Sequence, residues 1–223
     1  MDNENFLIYK FPKGNMNDPE GRAKYFDSKI VCKANINKEA QDLITKDMLD
    51  INFPFLYRRE NYKDLYPTFY AYDHNIVYTF QYWDSIAFIK NGLKERYPIP
   101  NQFSVSAEPI LEEYLSSKIK SEEYFFTHNA NIKLLNFKGE ILVFQQIGAE
   151  KYVNEETGML NDYLSLDKRM LVFDLDKQRF EDVAYKLPPN CNPVKSCVFN
   201  NHLYLFASSE ARRKIRIYIT TLK

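Results

Sequence analysis

The sequence predicts an all-β fold built from short antiparallel meanders, and three observations predict it. Apolar residues alternate with polar ones at a period of two, most cleanly at Ile215, Ile217 and Ile219 against Lys214, Arg216 and Tyr218. Turn-forming pairs punctuate the runs: Asn91-Gly92 is a strong hairpin signal, Asn200-Asn201 tolerates positive φ, and Lys138-Gly139-Glu140 reads as a turn. Aromatic residues reach 16% of the chain, nearly all Phe and Tyr, with only six Gly, a composition that suits twisted, aromatic-packed sheets.

Taken in order, Phe6 to Phe11 reads as a strand and Pro12 to Gly21 as a loop. Tyr25 to Ile36 reads as strand, turn, strand. Asn37 to Leu49 fits either a short helix, with Ala40, Leu43, Ile44 and Met48 sharing a face, or a hairpin arm. Ile51 to Tyr57 is apolar and interrupted by Pro54. From Tyr66 to Pro100 four strands are expected: Thr68 to Tyr72, Ile76 to Tyr82, Ser85 to Lys90 and Leu93 to Ile99. Residues 108–123 break the β pattern. Pro109 suits a first helical turn, and Ile110, Leu111, Tyr114, Leu115 and Ile119 recur at helical spacing, so a short helix is expected there. Tyr124 to Thr127, Ile132 to Phe137 and Ile141 to Gln146 are strand-like. Gly148 to Lys168 is a polar excursion whose length marks a surface insertion near a binding face. Met170 to Leu175 alternates as a half-buried strand, and Asp174 to Arg179 is a turn. Phe180 to Leu187 resumes the alternation until Pro188 and Pro189 stop it. Cys197 to Phe199, Leu203 to Phe206 and Lys214 to Ile219 complete the meander.

A repeat underlies this order. HNIVYTF from His74, GEILVF from Gly139 and NHLYLF from Asn201 each pass from a turn into alternating residues ending in Phe80, Phe144 or Phe206. Each is followed by a second strand, and two by a third strand and a proline stop. The Phe anchors lie about 60 residues apart, longer than the ~40–50 residues of familiar blade repeats, and the two insertions account for the excess. The expected architecture is therefore a set of β-propeller-like blades, in an incomplete or open propeller, rather than a β-sandwich. One domain over 1–223 is expected, with divergent blades in 1–60 and recognisable units at 66–101, 124–190 and 194–223. Closure of a ring would have Phe6 to Phe11 complete the last blade.

The residues VFDLDKQRFEDV, then KLPPN, then VFNNHLYLF resemble kelch-type propellers, with departures: no Gly-Gly pair occurs, and Phe180 stands where kelch blades carry Trp. YFDSKI from Tyr25, the YP–FYAYD–NIVYTF run from Tyr66 and the LVFDLDKQRFED–LYLF ending are more similar to six-bladed β-propeller proteins of unknown function from Bacteroidetes, often lipoproteins. The resemblance is to the C-terminal part of such a protein. It implies a cell-envelope location, periplasmic or lipid-anchored, and transfers no catalytic residues.

The remaining features bound the function. Lys plus Arg equals Asp plus Glu at 30 each, so charge provides no reason to expect nucleic acid. No apolar run approaches the ~20 residues of a membrane span. MDNENFLIYKF lacks a basic region followed by an apolar core, so no signal peptide is expected in this chain. Cys32, Cys191 and Cys197 form no disulfide framework; Cys191 and Cys197 read as ordinary thiols, with pairing across a loop the alternative. His74, His128 and His202 sit beside Asn in turns, and no metal is expected from them. Asp167, Asp174 and Asp176 lack the Gly and bidentate Glu of a calcium loop. Glu112-Glu113, Glu122-Glu123 and Glu155-Glu156 read as surface acids, and Arg58-Arg59 and Arg212-Arg213-Lys214 as solvated basic runs. No nucleophile elbow or phosphate-binding Gly loop is present, so neither catalytic residues nor a cofactor are assigned. For a ligand surface, Tyr82 and Trp83 offer stacking and Gln145 and Gln146 hydrogen bonds, with packing between blades as the competing role. The leading expectation is a non-catalytic binding module of a bacterial envelope protein, for a protein, peptide or glycan. The alternatives are a glycan hydrolase or lyase in a propeller cleft, which needs converging carboxylates, and an intracellular kelch-like adaptor.

Overall fold

A computed structural model describes residues 5–9, 19–37, 42–54, 67–72, 75–110, 117–153, 158, 163–209 and 214–220. The chain divides into two units: 1–62 with 71–74, and 63–70 with 75–223.

In the first unit, β1 (Asn5–Tyr9), β2 (Val31–Asn37) and β3 (Asp42–Met48) form an antiparallel sheet in that order, with a bulge between Lys33 and Ala34. The ambiguous segment after Asn37 is thus the hairpin arm and not the helix. α1 (Pro19–Asp27) occupies what the sequence pattern assigned to a loop and a strand. Its start is a Pro at the first helical position followed by Glu20, which suits the positive end of the helix, and Glu20 also pairs with Lys24 at 2.8 Å. Phe26 is buried with Ile30, Val31, Ile51 and Phe53. Tyr25 stacks on Phe53 at 5.5 Å, so burial of these rings overrides their strand propensity. β1 pairs with β2 from Asn5↔Asn35 to Tyr9↔Val31, at the edge of this first sheet.

The second unit carries three sheets. β4 (Pro67–Tyr72), β5 (Asn75–Phe80), β6 (Ser85–Lys90) and β7 (Leu93–Pro98) run in sequence order. β8 (Ala130–Phe137), β9 (Glu140–Gln146), β10 (Lys168–Asp174) and the two-residue β11 (Arg179–Phe180) form the next, with β12 (Tyr185–Lys186) also on β10. β13 (Cys197–Phe199), β14 (His202–Ser209) and β15 (Lys214–Thr220) form the last. Among the described residues these strands pair antiparallel. Each sheet contains a two-residue turn with both central residues at positive φ: Asn91 and Gly92, Lys138 and Gly139, Asn200 and Asn201. Such turns match the strand twist, which is why these pairs were legible as hairpins.

The sheets stack face to face in chain order. β9 is buried along Ile141 to Gln146 because both of its faces are covered. Leu142, Phe144, Met170 and Val172 pack with Leu203 and Leu205 of β14. From the other face, Phe173 meets Phe88 at 5.3 Å and Tyr97 at 4.9 Å.

The expected short helix is present as α2 (Lys118–Thr127), capped by Ser117, whose hydroxyl accepts from the Lys120 amide at 3.3 Å; two other local expectations are corrected. Residues 104–110 are not helical, 111–116 lie outside the described residues, and Ile119 points outward at 68% exposure. Tyr124 to Thr127 is therefore helix and not strand. Phe180 to Leu187 is not a continuous strand either: only Phe180 and Leu187 are buried, while Val183 is 61% exposed.

Candidate ligand-binding end

The connections β5–β6, β7–β8 and β9–β10 all leave the same end of two adjacent meanders. Two of them are long, 99–129 and 147–167, and they pack on each other. The Ala149 amide donates to Phe126 O at 2.9 Å and the Gly148 amide to Asn129 Oδ1 at 3.0 Å. Phe126 stacks on Tyr152 at 5.6 Å, and the Tyr152 hydroxyl donates to Glu122 Oε2 at 2.8 Å. Gly148 is required at this crossing because a Cβ there would sit 2.3 Å from Thr127 O.

Beneath these excursions lies a buried polar network. Asn131, fully buried, donates from Nδ2 to Thr79 Oγ1 at 3.0 Å and to the carbonyls of Phe80 and Trp83 at 2.9 Å. Its Oδ1 accepts from Gln145 Nε2 at 2.9 Å. Gln145 Oε1 accepts from Arg169 Nε at 2.7 Å, and the guanidinium lies over the Phe103 ring. Burial pushes the Arg169 pKa down. Asp84 holds the start of the longer excursion by accepting from Ser104 Oγ at 3.0 Å, from the Val105 amide at 2.6 Å, and from Ser106 Oγ. Arg96 donates to Ser85 Oγ at 2.8 Å and lies over the Trp83 ring at 4.9 Å.

The four residues singled out from the sequence come together here. Tyr82 is buried edge-on to Tyr124. Gln145 and Gln146 are fully buried, and Gln146 Nε2 donates to Phe125 O at 2.8 Å. Trp83 is half-buried and stacks on Tyr78. Sequence reading missed Asn131, Asp84 and Arg169, which are single polar residues with no motif; the signal available was the length of the two insertions.

Within the 99–129 excursion is a cleft of about 280 Å³. Pro109, Ile110 and Tyr124 supply its apolar wall, and Lys120, Glu123 and His128 its polar rim. Lys120 and Glu123 pair at 2.7 Å, and the Tyr124 hydroxyl donates to Glu108 O at 2.8 Å. His128 stacks near Tyr124, and its Nδ1–H donates to Tyr124 O at 2.7 Å. A second cleft, about 350 Å³, lies at the opposite end of β10 among Asp174, Lys177, Glu181 and Tyr185. There Lys177 holds the Asp174 carboxyl below its ordinary range, chiefly by a side-chain hydrogen bond. Glu140, opposite Asp174 across the strands, is raised by burial and then by Glu181 and Asp174.

Among the described residues no group of three or more His, Cys, Asp or Glu is placed to hold a metal, and no helix is long and apolar enough to cross a membrane. Cys191 is buried and Cys197 exposed, both as free thiols. His74, Glu112-Glu113, Glu155-Glu156, Arg58-Arg59 and Arg212-Arg213 lie outside the described residues.

No family model matches the sequence, and no curated protein matches it. Among solved structures, the fold is similar to the crystal structure of a member of the DUF4221 family from Bacteroides vulgatus, with a TM-score of 0.68 at 12% identity. The match covers all of this chain and 62% of that one, so the chain spans less than two thirds of that protein's length. At that identity the likeness is one of fold: an all-β chain of antiparallel meanders, similar to a Bacteroides protein.

Proposed function

We propose that the chain is a non-catalytic binding module of β-propeller type from a bacterial envelope protein. In it, the successive sheets act as blades of one domain, and the excursions 99–129 and 147–167 form the ligand face. The observation that carries this is the convergence of the two long connections on one end of adjacent sheets, the first of which holds an apolar-walled, polar-rimmed cleft. The fold likeness to a Bacteroides protein supports the bacterial assignment. Trp83 and the cleft rim contact the ligand, a peptide or glycan, while Tyr82, Gln145 and Gln146 hold the floor from beneath.

Glycan and peptide arrays probed with the chain test this. One class is expected to bind, to lose affinity at least tenfold in Tyr124→Ala, and to be recovered chemically unchanged. Silence on both arrays, or binding indifferent to Tyr124→Ala and Trp83→Ala, would refute the assignment. A second reading, a hydrolase at the opposite end of β10, is favoured by Asp174 and Glu140 standing at paired positions of β10 and β9, with Glu140 held above and Asp174 below the ordinary carboxylate range. Cleavage of an arrayed glycan that Glu140→Gln abolishes would establish it instead. Asp174 already accepts the amides of Asp176 and Lys177 at 3.0 and 2.9 Å, which gives it a structural task and places this reading second.

A further inference from the structure

The second excursion leaves and rejoins its sheet at one residue pair, Gln146 of β9 opposite Lys168 of β10. Lys168 is only 2% exposed, a burial that an ammonium tolerates when it is hydrogen-bonded or paired. Its Nζ donates to the carbonyls of Tyr163 at 2.5 Å, Leu166 at 2.8 Å and Leu164 at 3.4 Å. It also lies 4.6 Å from the centre of the Tyr163 ring. The last turn of the excursion is thus wrapped around a positive charge. The adjacent acid, Asp167, pairs with Lys186 at 3.2 Å. Burial raises the Tyr163 phenol, and it raises the Cys191 thiol against the field of Lys168. Tyr163 therefore meets the ammonium as a neutral π face and not as a phenolate.

We infer that residues 163–166 form a ready-made site for a primary ammonium, and that Lys168 is its resident cation, fixing the foot of the second excursion. An ammonium carries three N–H donors and no acceptor, and three carbonyls converge on this one nitrogen. Carbonyl oxygens gathered so closely repel one another, and buried ones cost free energy when no donor reaches them. A planar guanidinium fork cannot serve that set from a single point, and an apolar side chain cannot serve it at all. The site therefore takes a primary ammonium, tethered or free. Beside it the Ile147 amide donates to Asp167 O at 2.9 Å and closes the neck of the excursion. Loss of the ammonium should loosen the excursion before the sheet. The inference holds with or without a ligand on that excursion and is tested without one.

Hydrogen exchange and thermal melts on the 223-residue chain provide the test. In Lys168→Ala, amide exchange across 163–167 is expected to rise at least tenfold and the melting temperature to fall. n-Butylammonium chloride, whose chain replaces the lost side chain, is expected to reverse both with a saturable dose dependence, because it binds the folded state. Tetramethylammonium and sodium chlorides at equal ionic strength offer no N–H donor and are expected to reverse neither. Lys168→Met keeps the volume without the donors and is expected to show the same rise in exchange, which preserves the test where the alanine variant does not fold. In the unaltered protein the Lys168 amine is expected to resist acetylation while Lys118, with a side chain 89% exposed, reacts. Unchanged exchange in the variants overturns the inference. So does a loss that butylammonium cannot reverse, rescue by every salt alike, or acetylation of Lys168 at the rate of Lys118.

Discussion

Replacing Asn131 with Ala tests whether the buried network joins the two sheets. The side chain makes hydrogen bonds to Thr79, Phe80, Trp83 and Gln145, all within 3.0 Å, at a fully buried position. Its two Nδ2 protons serve three acceptors, so about three bonds' worth is lost, each with a net value of about 1 kcal/mol. The stranded carbonyls and the Gln145 amide add a desolvation penalty, and the total comes to about 4 kcal/mol. Urea unfolding measures it: with a slope of about 2 kcal/mol/M, the midpoint falls by about 2 M at unchanged slope. Thr79→Val alone loses less, because it removes two hydrogen bonds, the one accepted from Asn131 and the one donated to Ser85 O at 2.7 Å, against the larger set that Asn131 makes. The double mutant is expected to show a coupling energy of about 1 kcal/mol or more. A loss below about 1 kcal/mol for Asn131→Ala, or strict additivity with Thr79→Val, would refute the claim that this network fastens sheet to sheet.

Gly148→Ala places a methyl group 2.3 Å from Thr127 O, a backbone atom that α2 holds, so it should cost several kcal/mol and raise hydrogen exchange in both excursions. Gly139→Ala, in open space but at φ 81°, should cost only about 1 kcal/mol by thermal melt. Glu140 has a raised folded pKa, so its contribution favours the fold at low pH and is lost as pH rises through that pKa. Glu140→Gln should accordingly raise the melting temperature at neutral pH, with the gain vanishing below the ordinary glutamate range. Asp174 has the opposite sign: its depressed pKa lends stability above the ordinary aspartate range that is lost as pH falls through the folded value. Asp174→Asn should flatten that acid limb in a pH series of melts.

Hairpins were the most legible elements because their signal is local. Asn91-Gly92 and Asn200-Asn201 predict left-handed turn residues whatever surrounds them, and both adopt positive φ. Helices were less legible. α1 and the second half of α2 are rich in Tyr and Phe, residues whose propensity favours strands. Their helicity rests on a Pro-Glu start, the Ser117 cap, and the packing of Tyr25 on Phe53 and Tyr82 against Tyr124. Phe180 to Leu187 failed for the converse reason: alternation without a neighbour to cover Val183 does not hold a strand in register.

The candidate site divides the same way. Insertion length marked 148–168 as a surface excursion, since long connections run over the outside of a fold. It did not identify Asn131, Asp84 or Arg169, whose roles depend on residues 14 to 52 positions away along the chain. By itself the sequence determined the all-β class, the turns and the alternating faces, since each follows from neighbours a few residues apart. Only the tertiary structure decided which apolar face is covered. The isoleucines of β15 and the leucines of β14 alternate alike in sequence, yet Leu203 and Leu205 are buried and Ile215, Ile217 and Ile219 are not. Burial depends on what packs against a face, and that is not written in the strand itself.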